Sequence, residues 1–374
     1  MAAAFTCLDC LVGLSFAKDA DERSPPDHGW QYGAYLDVGY GLNFNFPDDH
    51  QWRSKQTTPR TNEIAPNMGL AYLRKEPRMD SRWGMELAVQ GGYDTKELVP
   101  REHAMSGADT LRHLARANVS YLAPVGNGLE LTAGLMKGFI NYESFYAKDN
   151  FNYTRTYLTD YNPNFIFAVG GRYPITPNVD LGLHILNGFQ YLSHPNNLPS
   201  YGAELDWRLT THTTLYQNLY YGPDQTDTNL KFWRAFTDST LQWRGESLTL
   251  ALSYDIGTEK SSADPGNPRQ FWMASALYTR WEMGGPWAVA LRPEMFWGPE
   301  RFADPRATIT LGHDLDARLQ TTCRPTARHR ASRISVRPFN WSGRRIFQGW
   351  GPRTRCASTS QRSARHLAGA DVGV

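Results

Sequence analysis

The chain has 374 residues, 39 basic against 37 acidic, and a mean hydropathy of −0.53. No apolar run reaches the roughly 20 residues that a membrane-spanning helix needs. This excludes helical spans but not membrane strands, whose faces alternate and keep mean hydropathy low. Aromatics at 13% and 32 glycines favour strands and tight turns over helices.

Residues 1–29 are read as a leader or periplasmic segment. Met1 to Ala17 is apolar apart from Asp9 and small polar residues, like part of a secretory leader without the basic start. The four cysteines are Cys7, Cys10, Cys323 and Cys356. A body free of cysteine suits export through an oxidising compartment. The C-x-x-C spacing of Cys7 and Cys10 belongs to the leader rather than to a metal half-site, because no second ligand pair follows.

From residue 30 onward the dominant signal is period-two alternation, which puts successive side chains on opposite faces of a strand. Strands are expected near 33–46 and 61–74. At 82–92, Trp83, Met85, Leu87 and Val89 alternate with Gly84, Glu86, Ala88 and Gln90. Weaker patterns follow at 112–122, 127–138, 163–173 and 178–190. At 201–209, Tyr201, Leu205 and Trp207 oppose Glu204, Asp206 and Arg208. Strands at 213–221 and 233–243 precede 248–257, where Leu248, Leu250, Leu252, Tyr254 and Ile256 oppose Thr249, Ala251, Ser253 and Asp255. After 271–281, the run 287–297 sets Trp287, Val289 and Leu291 against Ala288, Ala290, Arg292 and Glu294.

Between these thirteen segments the connections alternate short and long, as in membrane barrels with tight periplasmic turns and long extracellular loops. Aromatics near strand ends, among them Trp83, Tyr121, Tyr201, Trp207, Trp243, Trp272 and Trp297, suit girdles at the headgroup level. Backbone groups in lipid have no water to bond, so the sheet must close. Bacterial barrels normally carry an even strand number, so at least one more strand is needed after residue 305, and 307–315 supplies a start. The expected fold is all-β: an antiparallel transmembrane β-barrel of about 14–16 strands over residues 30–317.

Residues 318–374 break the pattern. They hold twelve Arg, no Lys and one acid, Asp371, which leaves 27 basic and 36 acidic residues before them, a net of −9. Such a tail reads as GC-rich codons out of frame. The alternative is a basic tail binding lipopolysaccharide, peptidoglycan or nucleic acid.

Several stretches resemble the outer-membrane β-barrel porin family described as OmpL-like. They are Ala108 to His113, Ala117 to Gly128, Glu143 to Arg155, Tyr220 to Gln225 and Gly266 to Arg269. The similarity runs over roughly residues 30 to 300. It implies an outer-membrane pore and no catalytic residues.

The polar faces are expected to line the lumen through Asp37, Glu86, Arg116, Glu130, Arg172, Glu204, Asp206, Arg208, Arg234, Asp238, Arg292 and Glu294, with Glu63 and Asp180 beside them. Opposed charges across a pore tune ion selectivity, and the acidic excess of the body points to mild cation preference. The long loop 139–162 is a candidate constriction through Tyr146, Lys148, Asp149, Tyr153 and Arg155, against the equal reading of an outward-facing loop. Motifs for nucleophilic, metallo- or nucleotide-dependent catalysis are missing. His103 and His113 read as ordinary surface histidines ahead of an adventitious metal site, and Asp224 and Asp227, which could join a calcium loop, lack the spacing of a full EF-hand. The expected function is a passive or weakly selective porin for small hydrophilic solutes or ions, with no cofactor and no metal. The expected partners are outer-membrane lipid, lipopolysaccharide, the barrel-assembly machinery and a homo-oligomeric copy, and not nucleic acid. Two alternatives stand beside it, a non-conducting adhesin or receptor barrel and a secreted carbohydrate-binding β-protein.

Overall fold

The computed structural model describes residues 7–18, 29–52, 55–98, 111–190, 197–223, 232–260, 269–284, 287–298, 307–315, 335–340, 344–348 and 369–373. The first strand, β1 (Cys7–Lys18), lies in the segment expected as a leader. The thirteen sequence-predicted segments then each form a strand. They are β2 (Trp30–Leu42), β3 (Ile64–Lys75), β4 (Trp83–Gly91), β5 (Leu114–Ala123), β6 (Leu129–Lys137), β7 (Phe165–Thr176) and β8 (Val179–Leu186). They continue as β9 (Ser200–Arg208), β10 (Thr213–Pro223), β11 (Trp233–Arg244), β12 (Leu248–Glu259), β13 (Gln270–Gly284) and β14 (Trp287–Trp297). The expected fourteenth is β15 (Ala307–Leu315), followed by the short β16 (Ser335–Asn340), β17 (Arg344–Gln348) and β18 (Gly369–Gly373).

From β1 to β15 each strand pairs antiparallel with the next. Strand β18 pairs with both β15 and β1, so the sheet returns on itself as a barrel. The fourteen strands β2–β15 meet the expected count. The sheet carries eighteen among the described residues, because β1 and the three short C-terminal strands join it. Strand β17 pairs parallel with β1.

Alternation sets the two faces of the barrel wall. Outside lie Tyr32, Leu36, Trp83, Leu87, Val119, Val169, Leu183, Leu219, Leu252, Tyr254 and Trp281, all exposed. So large and continuous an apolar surface is foreign to a soluble monomer and matches a lipid-facing belt. Inside lie Asp37, Ala88, Gln90, Ala251, Ser253, Asp255, Ala288, Ala290 and Arg292, all buried. Of the aromatics expected in the girdles, Trp83, Tyr121, Tyr201, Trp207, Trp243 and Trp297 are exposed. Trp272 is a correction. It follows the exposed Phe271, so strand alternation turns it inward, where it stacks on Phe236 at 6.3 Å and lies 5.7 Å from the Arg234 guanidinium.

Long and short connections separate to opposite rims, as alternation of their lengths implies. The short turn 124–128 shows why it is tight. Asn127 N donates to Tyr173 Oη at 3.2 Å, and Gly126, at φ 53°, leaves no room for a Cβ against the same phenol.

Candidate functional site

The segment 138–164 between β6 and β7 turns into the barrel. Tyr153 Oη donates to Asp37 Oδ1 of β2 at 2.7 Å and accepts from Asn67 Nδ2 of β3 at 2.8 Å. Tyr146 Oη donates to Gln90 Oε1 of β4 at 3.0 Å. Across the barrel, Asn141 N donates to Asp238 Oδ2 of β11 at 3.1 Å, and Asn162 Nδ2 to Asp255 Oδ2 of β12 at 2.7 Å. Thr156 Oγ1 lies 3.3 Å from Tyr278 Oη of β13, and Tyr157 N donates to Glu294 Oε2 of β14 at 2.8 Å. A segment rooted between β6 and β7 thus bonds to seven strands, three on one flank (β2–β4) and four on the other (β11–β14).

Local chemistry shapes the segment before it docks. Thr156 caps the short helix α1 (Tyr157–Tyr161) by accepting from Thr159 N at 3.2 Å. Glu143 Oε2 in turn accepts from Thr156 N and Oγ1 at 2.7 and 2.9 Å. Arg292 of β14 donates to Glu143 Oε1 at 2.9 Å, to Thr154 O and to Thr154 Oγ1, and lies 3.5 Å from Glu294. Arg155 donates to Phe145 O and to Asp94 Oδ2, the latter at 3.0 Å.

A second loop, 43–63, pins the first from above. Lys55 Nζ donates to Arg155 O at 2.5 Å, sits 3.8 Å from both Asp160 and Glu294, and lies 4.5 Å over the Tyr157 ring. Thr57 donates through N and Oγ1 to Asp160, and Thr58 N donates to Asp94 Oδ1 at 2.7 Å. Burial pushes the Asp94 carboxyl up to about 7, against the pull of Arg155. Burial likewise pushes Asp160 up to about 6, against Lys55 and the Thr57 hydrogen bond.

The sequence-predicted residues fall into two groups. Asp37, Arg292 and Glu294 are buried beneath the loop together with its own Tyr153 and Arg155, and the side chains of Arg155 and Arg292 are 0% exposed. Tyr146 is buried with them, 5.9 Å from the Arg116 guanidinium, while Lys148 and Asp149 pair at 2.7 Å on the loop's open side. Glu86 is half-buried on β4. Arg234 pairs with Glu259 at 2.8 Å near the loop rim. Asp238 stands opposite Asp255 across β11 and β12.

The second group lines β6–β9 near the short-turn rim, away from the loop's contacts. Arg172 reaches Asp206 at 2.5 Å, Asp180 at 3.5 Å and Glu204 at 3.7 Å, while Arg208 pairs with Asp180 at 2.8 Å. Glu130 stands opposite Arg172 in the ladder. Here the side chains of Arg172 and Arg208 are 40% and 47% exposed. The loop closes on β2–β4 and β11–β14, and its first residues pack on the long-loop end of β8–β10, Phe139 on His184 and Ile140 beside Tyr220; the short-turn end of the β6–β10 wall stays reachable. A cavity of about 220 Å³ lies where the loop's first turn faces β9–β11.

Sequence reasoning missed Lys55, Asp94, Glu143, Asp160 and Asp255, the partners that hold the loop. Four of them sit in aperiodic loops, where alternation is silent; Asp255 lay on a recognised polar face. Glu63 pairs with Arg60 at 2.5 Å, and His113 Nδ1 lies 3.0 Å from Gln90 O. His103, Asp224, Asp227, Cys323 and Cys356 lie outside the described residues. Among the described residues no cluster of three or more His, Cys, Asp or Glu could hold a metal ion.

Comparison with known proteins gives one family match. The sequence model of the family described as beta-barrel porin-2, OmpL-like, matches residues 29–345. No curated protein matches the chain. Among solved structures, OmpF of Salmonella typhi in complex with daunomycin is similar at 8% identity and TM-score 0.48, over 99% of this chain and 96% of that one. An anion-selective porin from Comamonas acidovorans is similar at 9% identity and TM-score 0.45, over 99% and 98%. The outer membrane channel DcaP of Acinetobacter baumannii is similar at 6% and 0.45, over 99% and 95%.

Proposed function

The chain belongs to the beta-barrel porin-2, OmpL-like family and is an outer-membrane porin, and on that premise we propose how it conducts: through a passage along the β6–β10 wall, narrowed by the inward segment 138–164. Family and fold make it a channel rather than an enzyme. The observation that carries the reading is the docking of one segment onto seven strands, with the charged short-turn end of the β6–β10 wall left exposed beneath it.

Two kinds of charge then have different work. Asp37, Arg292, Glu294 and Arg155 hold the loop and stay out of the solute's path. Glu130, Asp180, Glu204 and Asp206 face the passage with Arg172 and Arg208, an acidic excess that favours small cations over anions by field alone. The pore is passive and weakly selective, and passes small hydrophilic solutes. It sits among outer-membrane lipid and lipopolysaccharide, is inserted by the barrel-assembly machinery, and associates as a homo-oligomer through part of its apolar belt; nucleic acid is not a partner.

Planar-bilayer recording tests this. Under a salt gradient the reversal potential should take the sign of cation preference. Excising residues 142–160 should raise single-channel conductance. Anion preference, or unchanged conductance after excision, would refute the proposed path. A chain that inserts without conducting would favour a closed-lumen receptor.

A further inference from the structure

The cavity beside the loop combines features that the conduction path alone does not require. Its aromatic walls are Phe139 and Tyr142 from the loop and Tyr216 from β10. Phe139 is held by stacking on His184 at 4.8 Å, and Tyr142 by Tyr278 at 4.9 Å and Phe151 at 6.2 Å, so the rings are fixed surfaces. Burial holds the Tyr142 phenol above its ordinary value, so it stays a neutral hydroxyl that both donates and accepts.

Two local costs meet at the same wall. Asn141 is held at φ 136°, a backbone conformation that side chains rarely adopt. Its side-chain Oδ1 is buried and accepts no hydrogen bond. An unsatisfied buried acceptor on a strained residue calls for an explanation in function.

Resting on the conduction path above, we propose that this cavity is a binding subsite for a neutral hydroxylated ring, a single monosaccharide, which the pore takes up in transit. Aromatic faces beside hydroxyl, amide and carboxyl groups match the apolar faces and hydroxyl rim of a sugar ring. The size agrees: about 220 Å³ lies under the roughly 300–1,000 Å³ of sites for drug-sized ligands, so it takes a single ring. An organic cation fits less well. Both carboxylates of the wall are engaged, Asp206 with Arg172 at 2.5 Å and Asp238 with Asn141 N and with Asn218 Nδ2 at 2.8 Å.

The test is current blockade in planar bilayers. D-Glucose, D-galactose, D-mannose and D-xylose are titrated against the full chain, with choline as the cation probe. Each blockade is normalised to the channel's own KCl conductance. Saturable blockade by at least one sugar is expected. The half-blocking concentration should rise about tenfold in Asn141→Gly, which suits the positive φ and deletes the amide, and in Tyr216→Phe, which lies outside the loop. Blockade that merely follows solution viscosity, blockade equal in both variants and the parent, or saturation by choline alone would overturn the subsite. Absence of any KCl conductance would sink the conduction path first, and the inference with it.

Discussion

Replacing Arg292 by Met keeps most of the side-chain volume and removes the guanidinium. In the native barrel that group binds Glu143 at 2.9 Å, lies 3.5 Å from Glu294 and donates to Thr154, all on a residue buried among the loop's anchors. Its loss leaves the buried Glu143 without its cation and Glu294 with Lys55 alone. Removing one partner of a buried, hydrogen-bonded charge pair costs about 3–5 kcal/mol. At about 1.4 kcal/mol per tenfold, the docked loop loses roughly a hundred- to several-thousand-fold in population against an undocked one. The strand ladder is untouched, because its bonds are backbone to backbone. The expected result is a barrel that still migrates as a folded species when unheated on a denaturing gel, yet conducts more and flickers between levels. Adding Glu143→Gln should recover part of the quiet state by removing one stranded charge. A quiet Arg292→Met channel of parental conductance would refute the claim that this arginine holds the loop.

Four further outcomes follow from the same geometry. Undocking returns Asp94 and Asp160 from about 7 and about 6 toward the ordinary 3.8, so the docked loop binds more protons between those values. Docking is then strongest below about pH 4 and weakens as pH rises to about 7; open-channel noise should grow from pH 5 to 8 and respond less in Asp94→Asn, and noise that falls over that range contradicts the assignment. Lys55→Gln removes the cation that joins Arg155 O, Asp160 and Glu294, and should speed proteolysis within 138–164 while leaving the rest of the barrel protected; limited proteolysis with mass mapping reads it. Arg172→Gln deletes the cation that reaches Asp206, Asp180 and Glu204 together, so the reversal potential should move further toward cations, and a move toward anions counts against a passage on this wall. Leu252→Arg on the outer face, opposite Leu241 and Leu277, should cost about 2–4 kcal/mol of folding free energy if it lies at the bilayer midplane, read by urea titration in lipid vesicles; a cost near zero would place that residue away from hydrocarbon.

The barrel was legible because strand alternation is a local property. Leu252 outside and Ser253 inside follow from the chain alone, and the same rule holds at Trp83 and Gly84 or at Leu291 and Arg292. Trp272 misleads because it sits near a strand end, although the parity of its strand, set by the exposed Phe271, turns it inward. Strand β1 carries a period-two pattern too, Leu8, Cys10, Val12, Leu14 and Phe16, in a stretch whose apolar composition also suits a leader.

The loop is a different kind of problem. Glu143 and Arg292 are 149 residues apart, and Tyr153 and Asp37 are 116 apart. No periodicity links such pairs, since loops have no repeating face. What the sequence does hold is composition: 138–164 concentrates Tyr, Phe, Asn and Thr with only a few charges. A loop that stayed in water would have no need for so many rings, and one that stayed in lipid could not carry Glu143, Arg155 and Asp160. The mixture suits a segment enclosed by a polar wall, where every charge has a partner and every ring a neighbour. The composition is compatible with an enclosed loop yet leaves the inward and outward readings level, and both the direction and the strands it reaches are fixed only once the barrel has closed around it.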